Sequence, residues 1–272
     1  MKHRFAKSLT DKIIILVVAL IILTYFLFVT IPLLAVFLKI EPSQVNAQLR
    51  NAGIIEAIKL SLITSSIATV IAFVLAIPSA YFIVTRNFPG KAIIDTLMDL
   101  PIVLPPAVAG VALLYTFAPK GLLGPISNKF GFIIPGSTVA VIIAETFVAS
   151  PFLFRSAKTG FENMDKDILN SARMLTDSRL RVFFTVTFPL SLRAIISGSM
   201  MTWARAMGEF GATLMFAGNI AGITQTMPLA IYMFLYYEPL AGITLSAILI
   251  VISFSILITV KLIEQKRFGP KK

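Results

Sequence analysis

The sequence predicts an all-α membrane protein with six transmembrane helices, and three observations carry that reading. Hydrophobic residues fill 57% of the 272 positions against 14% charged, and mean hydropathy is +0.89, more apolar surface than a water-soluble domain of this size can cover. Apolar runs of about 20 residues recur, the length at which a helix crosses the hydrocarbon core. Basic residues crowd at the ends of those runs, the pattern that orients membrane helices.

The first run, Ile13 to Leu38, follows Lys2, Arg4, Lys7 and Lys12. It exceeds the roughly 7–15 apolar residues of a signal-peptide core, so it reads as a retained span. Leu60 to Thr85, Leu100 to Pro119, Phe130 to Phe154 (interrupted only by Glu145) and Pro239 to Val260 are each long enough to cross. Ala194 to Tyr237 is apolar except for Arg205 and Glu209 and is too long for a single span.

Charge decides between one span and two in that region. With six spans, the N-terminal tail, Arg86 and Lys91, the seven basic residues between Arg155 and Arg193, and Lys261, Lys266, Arg267, Lys271 and Lys272 share one side. Only Lys39, Arg50, Lys59, Lys120 and Lys129 fall on the other. The positive side is the cytoplasmic one, so both termini are expected inside a plasma or inner membrane; a seventh span would expel the basic C-terminal tail. The expected organisation is a single transmembrane domain over 1–272 with spans near 13–38, 58–85, 97–117, 135–156, 194–217 and 239–262. Gly218 to Tyr237 becomes an external loop with a half-buried helix from about Thr226 to Tyr236. Pro32, Pro78, Pro101, Pro105, Pro106 and Gly110 interrupt the spans, either as kinks along a pathway or as packing irregularities.

Composition removes several function classes. Without cysteine there is no disulfide framework, thiol nucleophile or cysteine metal site, and the single histidine, His3, sits in the basic tail. The net charge of +11 would suggest nucleic acid in a soluble protein, but here it follows the ends of spans rather than a nucleic-acid face. Gly90-Lys91 is not a phosphate loop, because Thr85 stands where glycine is required and Ala92 where serine or threonine is. Any ATP must therefore be hydrolysed by another polypeptide.

The longest cytoplasmic piece, Arg155 to Arg193, is too short for an enzymatic domain. Within it Ile168, Leu169, Ala172 and Leu175 recur at helical spacing behind Asp165 as N-cap, which predicts an amphipathic helix from about Lys166 to Thr176. Its polar face carries Asp167, Asn170 and Arg173. A second turn is expected from Ser178, with Leu180, Val182 and Phe183, before Pro189 opens the next span.

Asn170-Ser171-Ala172-Arg173-Met174-Leu175-Thr176, followed by Arg181 to Leu190, resembles the EAA loop of ABC importer permeases. The positions of Arg173, Leu175, Pro189 and Gly198 agree; Asn170-Ser171 replaces the usual Glu-Ala, and Thr176 the usual Gly. The resemblance implies a type I ABC importer permease fold in which segment 163–188 holds a coupling helix. Ile168, Leu169, Asn170, Ser171, Ala172, Arg173, Leu175 and Thr176 would seat in a cleft of the ATPase.

Asn87 to Ala92, Asp99 to Pro106, Trp203 to Thr213 and Thr224 to Tyr232 are similar to molybdate/tungstate permeases, while sulfate and thiosulfate permeases share the frame. The resemblance, over about Tyr81 to Tyr232, implies an importer of an oxyanion, molybdate or tungstate first and sulfate or thiosulfate as the alternative. Its partners would be two ATPase copies that bind ATP and Mg, a second copy of this permease, an extracytoplasmic oxyanion-binding protein and lipid. No cofactor is expected in this chain, and no nucleic acid.

Arg205 and Glu209 lie four apart on one helical face inside a span, where ionisable groups must pair or face water. They are either a structural pair or, with Gly211 and Thr213, part of a gate or pathway. Glu145 reads as structural or protonated, because an ionised carboxylate would repel an oxyanion. Ser197, Gly198, Ser199 and Ala204 are small enough for close helix approach, with a dimer seam as one place for it. Lys39 to Lys59 and Gly218 to Glu238 are the surfaces open to a binding protein.

An ion-gradient-driven secondary transporter would need intramembrane relays and repeated halves, whereas only Glu145 and Glu209 lie deep and no repeat is visible. An intramembrane enzyme lacks a nucleophile with its base.

Overall fold

The computed structural model describes residues 9–40, 42–176 and 178–268; of the basic tail residues, Lys2, Arg4, Lys7, Lys271 and Lys272 lie outside them. Among the described residues all regular structure is helical. Five helical segments are long and apolar enough to cross a membrane, and a bent pair supplies a sixth.

Helix α1, Leu9–Leu38, packs along the last helix and keeps nearly all its side chains exposed. After a short α2, Pro42–Leu49, helix α3 runs over Ala52–Thr85. It starts earlier than the expected 58 because Asn51 caps it, the side chain accepting from Gly53 N at 2.9 Å. At about 50 Å it exceeds the slab, so its first turns, with Glu56 and Lys59, are helical rather than loop.

The third span starts before the expected 97 and is broken, not merely kinked, at its prolines. It consists of α4, Lys91–Val103, and α5, Pro106–Phe117, bent by 113°. The elbow lies at Leu104, which is extended (ψ 133°) as a residue before proline must be, while Pro106 opens α5 at a position needing no N–H. Asp95 and Asp99, one turn apart on α4, meet Lys158 Nζ at 2.5 Å and Arg155 Nε at 2.6 Å.

A short α6, Gly124–Lys129, precedes α7, Thr138–Glu162, capped by Ser137. Arg155 and Lys158 thus belong to a helix and not to the loop where the charge pattern puts them. Next come α8, Lys166–Met174, and α9, Arg179–Val182. A π-helical turn, Phe183–Thr187, joins α9 to α10, Phe188–Met207. The fifth span is therefore continuous from Arg179 and breaks at Gly208–Phe210 before α11, Gly211–Ala217, instead of running over 194–217. Pro189 does not open it: the π turn shifts the hydrogen-bond register just before the proline, which has no N–H to give. Helix α12, Met227–Tyr237, lies against α13 (Pro239–Phe268) and α3, with Met227 N donating to the buried Ser61 Oγ at 2.7 Å.

The core is built on close approach. Ala68, Ala72, Ala76 and Ala80 form a buried stripe at every fourth position of α3, in the two packed clusters that join it to α7 and α10. A Cβ at Gly198 would stand 2.5 Å from Ser156 Cβ, and one at Gly160 2.7 Å from Ala194 Cβ. The small residues of α10 therefore pack against α7 inside the subunit, and Gly198 is not free to form a seam with another copy.

Candidate functional site

Two regions carry the residues singled out by the sequence. The first is the projection at one end of the bundle. Asp165 caps α8, its carboxylate accepting from Asp167 N at 2.8 Å, and Ser178 caps α9 by accepting from Arg181 N at 3.3 Å. Thr176 Oγ1 accepts from Ser178 N at 3.3 Å and holds the turn between the two helices.

The apolar residues of α8 do not share one face. Leu169, Ala172 and Thr176 are half-buried toward the bundle, while Ile168, Asn170, Ser171 and Arg173 are exposed and Leu175 is 88% exposed. Met174, which periodicity passes over, is 87% exposed beside it. Two adjacent apolar side chains at the tip of a short helix form a surface that water does not stabilise.

An aromatic cluster ties this projection to the bundle. The Phe183 ring, in the π turn, lies 4.7 Å from Tyr81 of α3, 6.2 Å from Phe161 of α7 and 5.9 Å from Phe188. Such rings transmit displacement because their packing leaves little free volume. The cluster was missed by sequence because its members come from three separated segments; only the density of phenylalanines over Phe183 to Phe188 hinted at it.

The second region is a polar seam at mid-bundle. Glu145 of α7 and Glu209 at the α10–α11 break are each 1% exposed. Thr64 Oγ1 donates to Glu145 Oε1 at 2.9 Å. Glu209 Oε1 accepts from Ala212 N at 2.8 Å, and Oε2 lies 2.5 Å from Arg205 Nη2 as an ion pair. Arg205 is itself 29% exposed at the side chain. Thr213 is fully buried, and Gly211 sits so close to α5 that a Cβ there would stand 2.8 Å from Pro106 Cβ.

The four gate candidates, Arg205, Glu209, Gly211 and Thr213, therefore gather at one helix break, against the start of α5. Thr64 was missed as the partner of Glu145, although Ser61, Thr64 and Ser65 at helical spacing in an apolar span are a legible polar row. Trp203 Nε1 donates to Ser66 Oγ at 3.2 Å on the exposed side of α3, away from that row. Among the described residues no three of His, Cys, Asp and Glu gather where they could hold a metal ion.

A family model described as binding-protein-dependent transport system inner membrane component matches residues 68–269. The probable transport system permease protein NifC of Clostridium pasteurianum is 32% identical, over 94% of this chain and 90% of its own length. The molybdenum transport system permease protein ModB of Mycobacterium tuberculosis is 37% identical over 83% and 86%, and ModB of Escherichia coli K12 39% over 65% and 78%.

Among solved structures, a chain of a bacterial ABC transporter involved in the import of the acidic polysaccharide alginate superposes with a TM-score of 0.75. It shares 14% identity over 95% of this chain and 97% of that one. A chain of the inward-facing MetNI methionine ABC transporter gives 0.61, with 14% identity over 78% and 95%. At these identities the likeness is one of fold: a type I ABC importer permease.

Proposed function

The chain belongs to the binding-protein-dependent transport system inner membrane components, and on that premise we propose that it is the membrane-spanning subunit of an ATP-driven molybdate/tungstate importer. The relatives named as molybdenum permeases support the oxyanion. The observation that carries the mechanism is the exposed Met174–Leu175 tip on a helix anchored through Phe183 to α3, α7 and α10.

In this reading two copies of the permease enclose a central pathway. Each docks one ATPase subunit through Ile168, Leu169, Asn170, Ser171, Ala172, Arg173, Leu175 and Thr176, and the ATPases bind ATP and Mg. The α8 end and both termini face the cytoplasm, in accord with the clustering of basic residues there. An extracytoplasmic binding protein delivers the oxyanion to the opposite face, at the α2 region and the loop leading into α12. Nucleotide binds the two arrangements of the ATPase pair with different affinity and so shifts the permease between outward and inward access. The π turn and aromatic cluster pass the displacement from α8 to α10, and the Arg205–Glu209 pair at the α10–α11 break is the element that gates.

Reconstitution with the ATPase and binding protein tests this reading. Molybdate uptake into vesicles should require ATP and survive collapse of the proton gradient. Uptake that follows the gradient and ignores ATP would overturn it.

A further inference from the structure

We propose that the groove between the last turns of α3 and the α8–α9 segment is a binding site for an anionic phospholipid, with Arg86 and Arg179 around its phosphate and Pro78, Phe82 and Phe184 under its acyl chain.

The groove measures about 670 Å³. From Pro78 to Arg86 helix α3 rises about 12 Å, the step from hydrocarbon to headgroup level. Along that step the lining changes character in the order a phospholipid does. Pro78, Phe82 and Phe184 are apolar, and both phenylalanines are exposed in the subunit. The rim holds two exposed arginines, Arg86 and Arg179, drawn from two segments far apart in sequence.

Cations brought together around one groove repel, and an anion among them removes that cost. Guanidinium forks match phosphate oxygens in pairs, and their long stems can lie along apolar surface while the heads stay at the interface. No carboxylate lines the groove among the described residues. Asp177, whose position lies outside them, leaves the stretch 173–181 net positive by sequence, which also holds Arg173, Arg179 and Arg181.

The floor excludes the other occupants. A soluble protein's segment reaches the arginine rim but not an apolar floor about 12 Å down a transmembrane helix. A second copy seated symmetrically would bring the same arginines. Basic pockets at the membrane surface select anionic headgroups, by a favourable increment for each arginine. The inference needs the α8 end to lie at a membrane surface, and does not depend on what docks on α8.

The test is native mass spectrometry of the purified permease with equal dioleoyl-phosphatidylglycerol and dioleoyl-phosphatidylcholine. Wild type should retain phosphatidylglycerol in preference, and Arg86→Gln/Arg179→Gln should lose about tenfold or more of that preference. Arg193→Gln/Lys261→Gln removes the same charge away from the groove and should retain lipid as wild type does. Equal retention of the two lipids by wild type, or an equal loss in both double variants, overturns the proposal. So does displacement of the lipid by soluble glycerol 3-phosphate, which would make the ligand a free phosphate. As a second measurement that keeps every arginine, benzoylphenylalanine at position 184 in 3:1 phosphatidylcholine:phosphatidylglycerol vesicles carrying the assembled importer should capture lipid. Capture of the ATPase subunit instead overturns it.

Discussion

Thr64 donates a 2.9 Å hydrogen bond to Glu145 across the α3–α7 seam, and both side chains are shut away from solvent. The bond joins the two most extensively packed helices at the point where a carboxyl group would otherwise stand among alanines. Removing its donor takes from Glu145 Oε1 the hydrogen bond it has in the seam.

Thr64→Val should therefore destabilise the subunit by about 1–3 kcal/mol, read as a lower unfolding temperature in detergent. Glu145→Gln keeps an acceptor for Thr64 and should stay within about 1 kcal/mol of wild type. A Thr64→Val protein as stable as wild type would show the bond to be dispensable.

At the α10–α11 break, Glu209→Ala strips Ala212 N of its acceptor and leaves Arg205 without its partner. The expected loss is about 1–3 kcal/mol, below that of a fully buried pair because Arg205 stays partly exposed. Glu209→Gln, which still accepts from Ala212 N, should lose clearly less. Thermal unfolding of the two variants side by side decides between an ion pair and a simple helix cap.

Leu175 is exposed, so Leu175→Asp should leave the unfolding temperature of the isolated subunit unchanged. In the assembled importer it should weaken ATPase association by about tenfold or more, since the burial of one leucine is lost. Pull-down of the ATPase against a titration of the variant permease measures this. Wild-type affinity in Leu175→Asp would remove the tip of α8 from the interface.

The pairs Asp99–Arg155 and Asp95–Lys158 hold the bent helix to α7, and all four side chains are partly exposed. Each should contribute no more than about 1 kcal/mol and weaken in salt. The exchange Asp99→Arg with Arg155→Asp should recover most of what either change loses alone.

Gly198→Val should be far more damaging than its position in an apolar helix suggests. Even a Cβ there would stand 2.5 Å from Ser156 Cβ, and neither backbone can move apart without opening the α7–α10 seam. A loss of about 1–3 kcal/mol or failure to accumulate is expected, monitored by size-exclusion of a fluorescent fusion.

The sequence made some of this legible and hid the rest for identifiable reasons. Helix α8 was readable to within two residues because its signals are local: Asp165 caps it, and Ile168 to Leu175 carries a helical period. The half-buried α12 was equally plain, since Pro228 and the charged Glu238 bracket an apolar run.

Hydropathy, by contrast, reports composition and not direction. Leu100 to Pro119 scores as a span whether it is straight or bent, and only the Pro105-Pro106 pair carried the information that it turns. The fifth span was displaced for a similar reason: the turn expected from Ser178 is there, but it runs on into α10 through a register reset over Phe183–Thr187 and does not stop before Pro189. The Arg205–Glu209 pairing followed from their spacing alone. Thr64 did not follow, because contact across 81 positions is a property of packing.

The elbow before Pro106 also decides what can stand beside it. Helix α5 covers only about 18 Å, and the unpaired backbone at its bend is tolerated at membrane depth only beside protein or water, never against lipid tails. That stretch of the third span must therefore be screened by neighbouring helices or by water, which α11 does on one side where Gly211 meets Pro106.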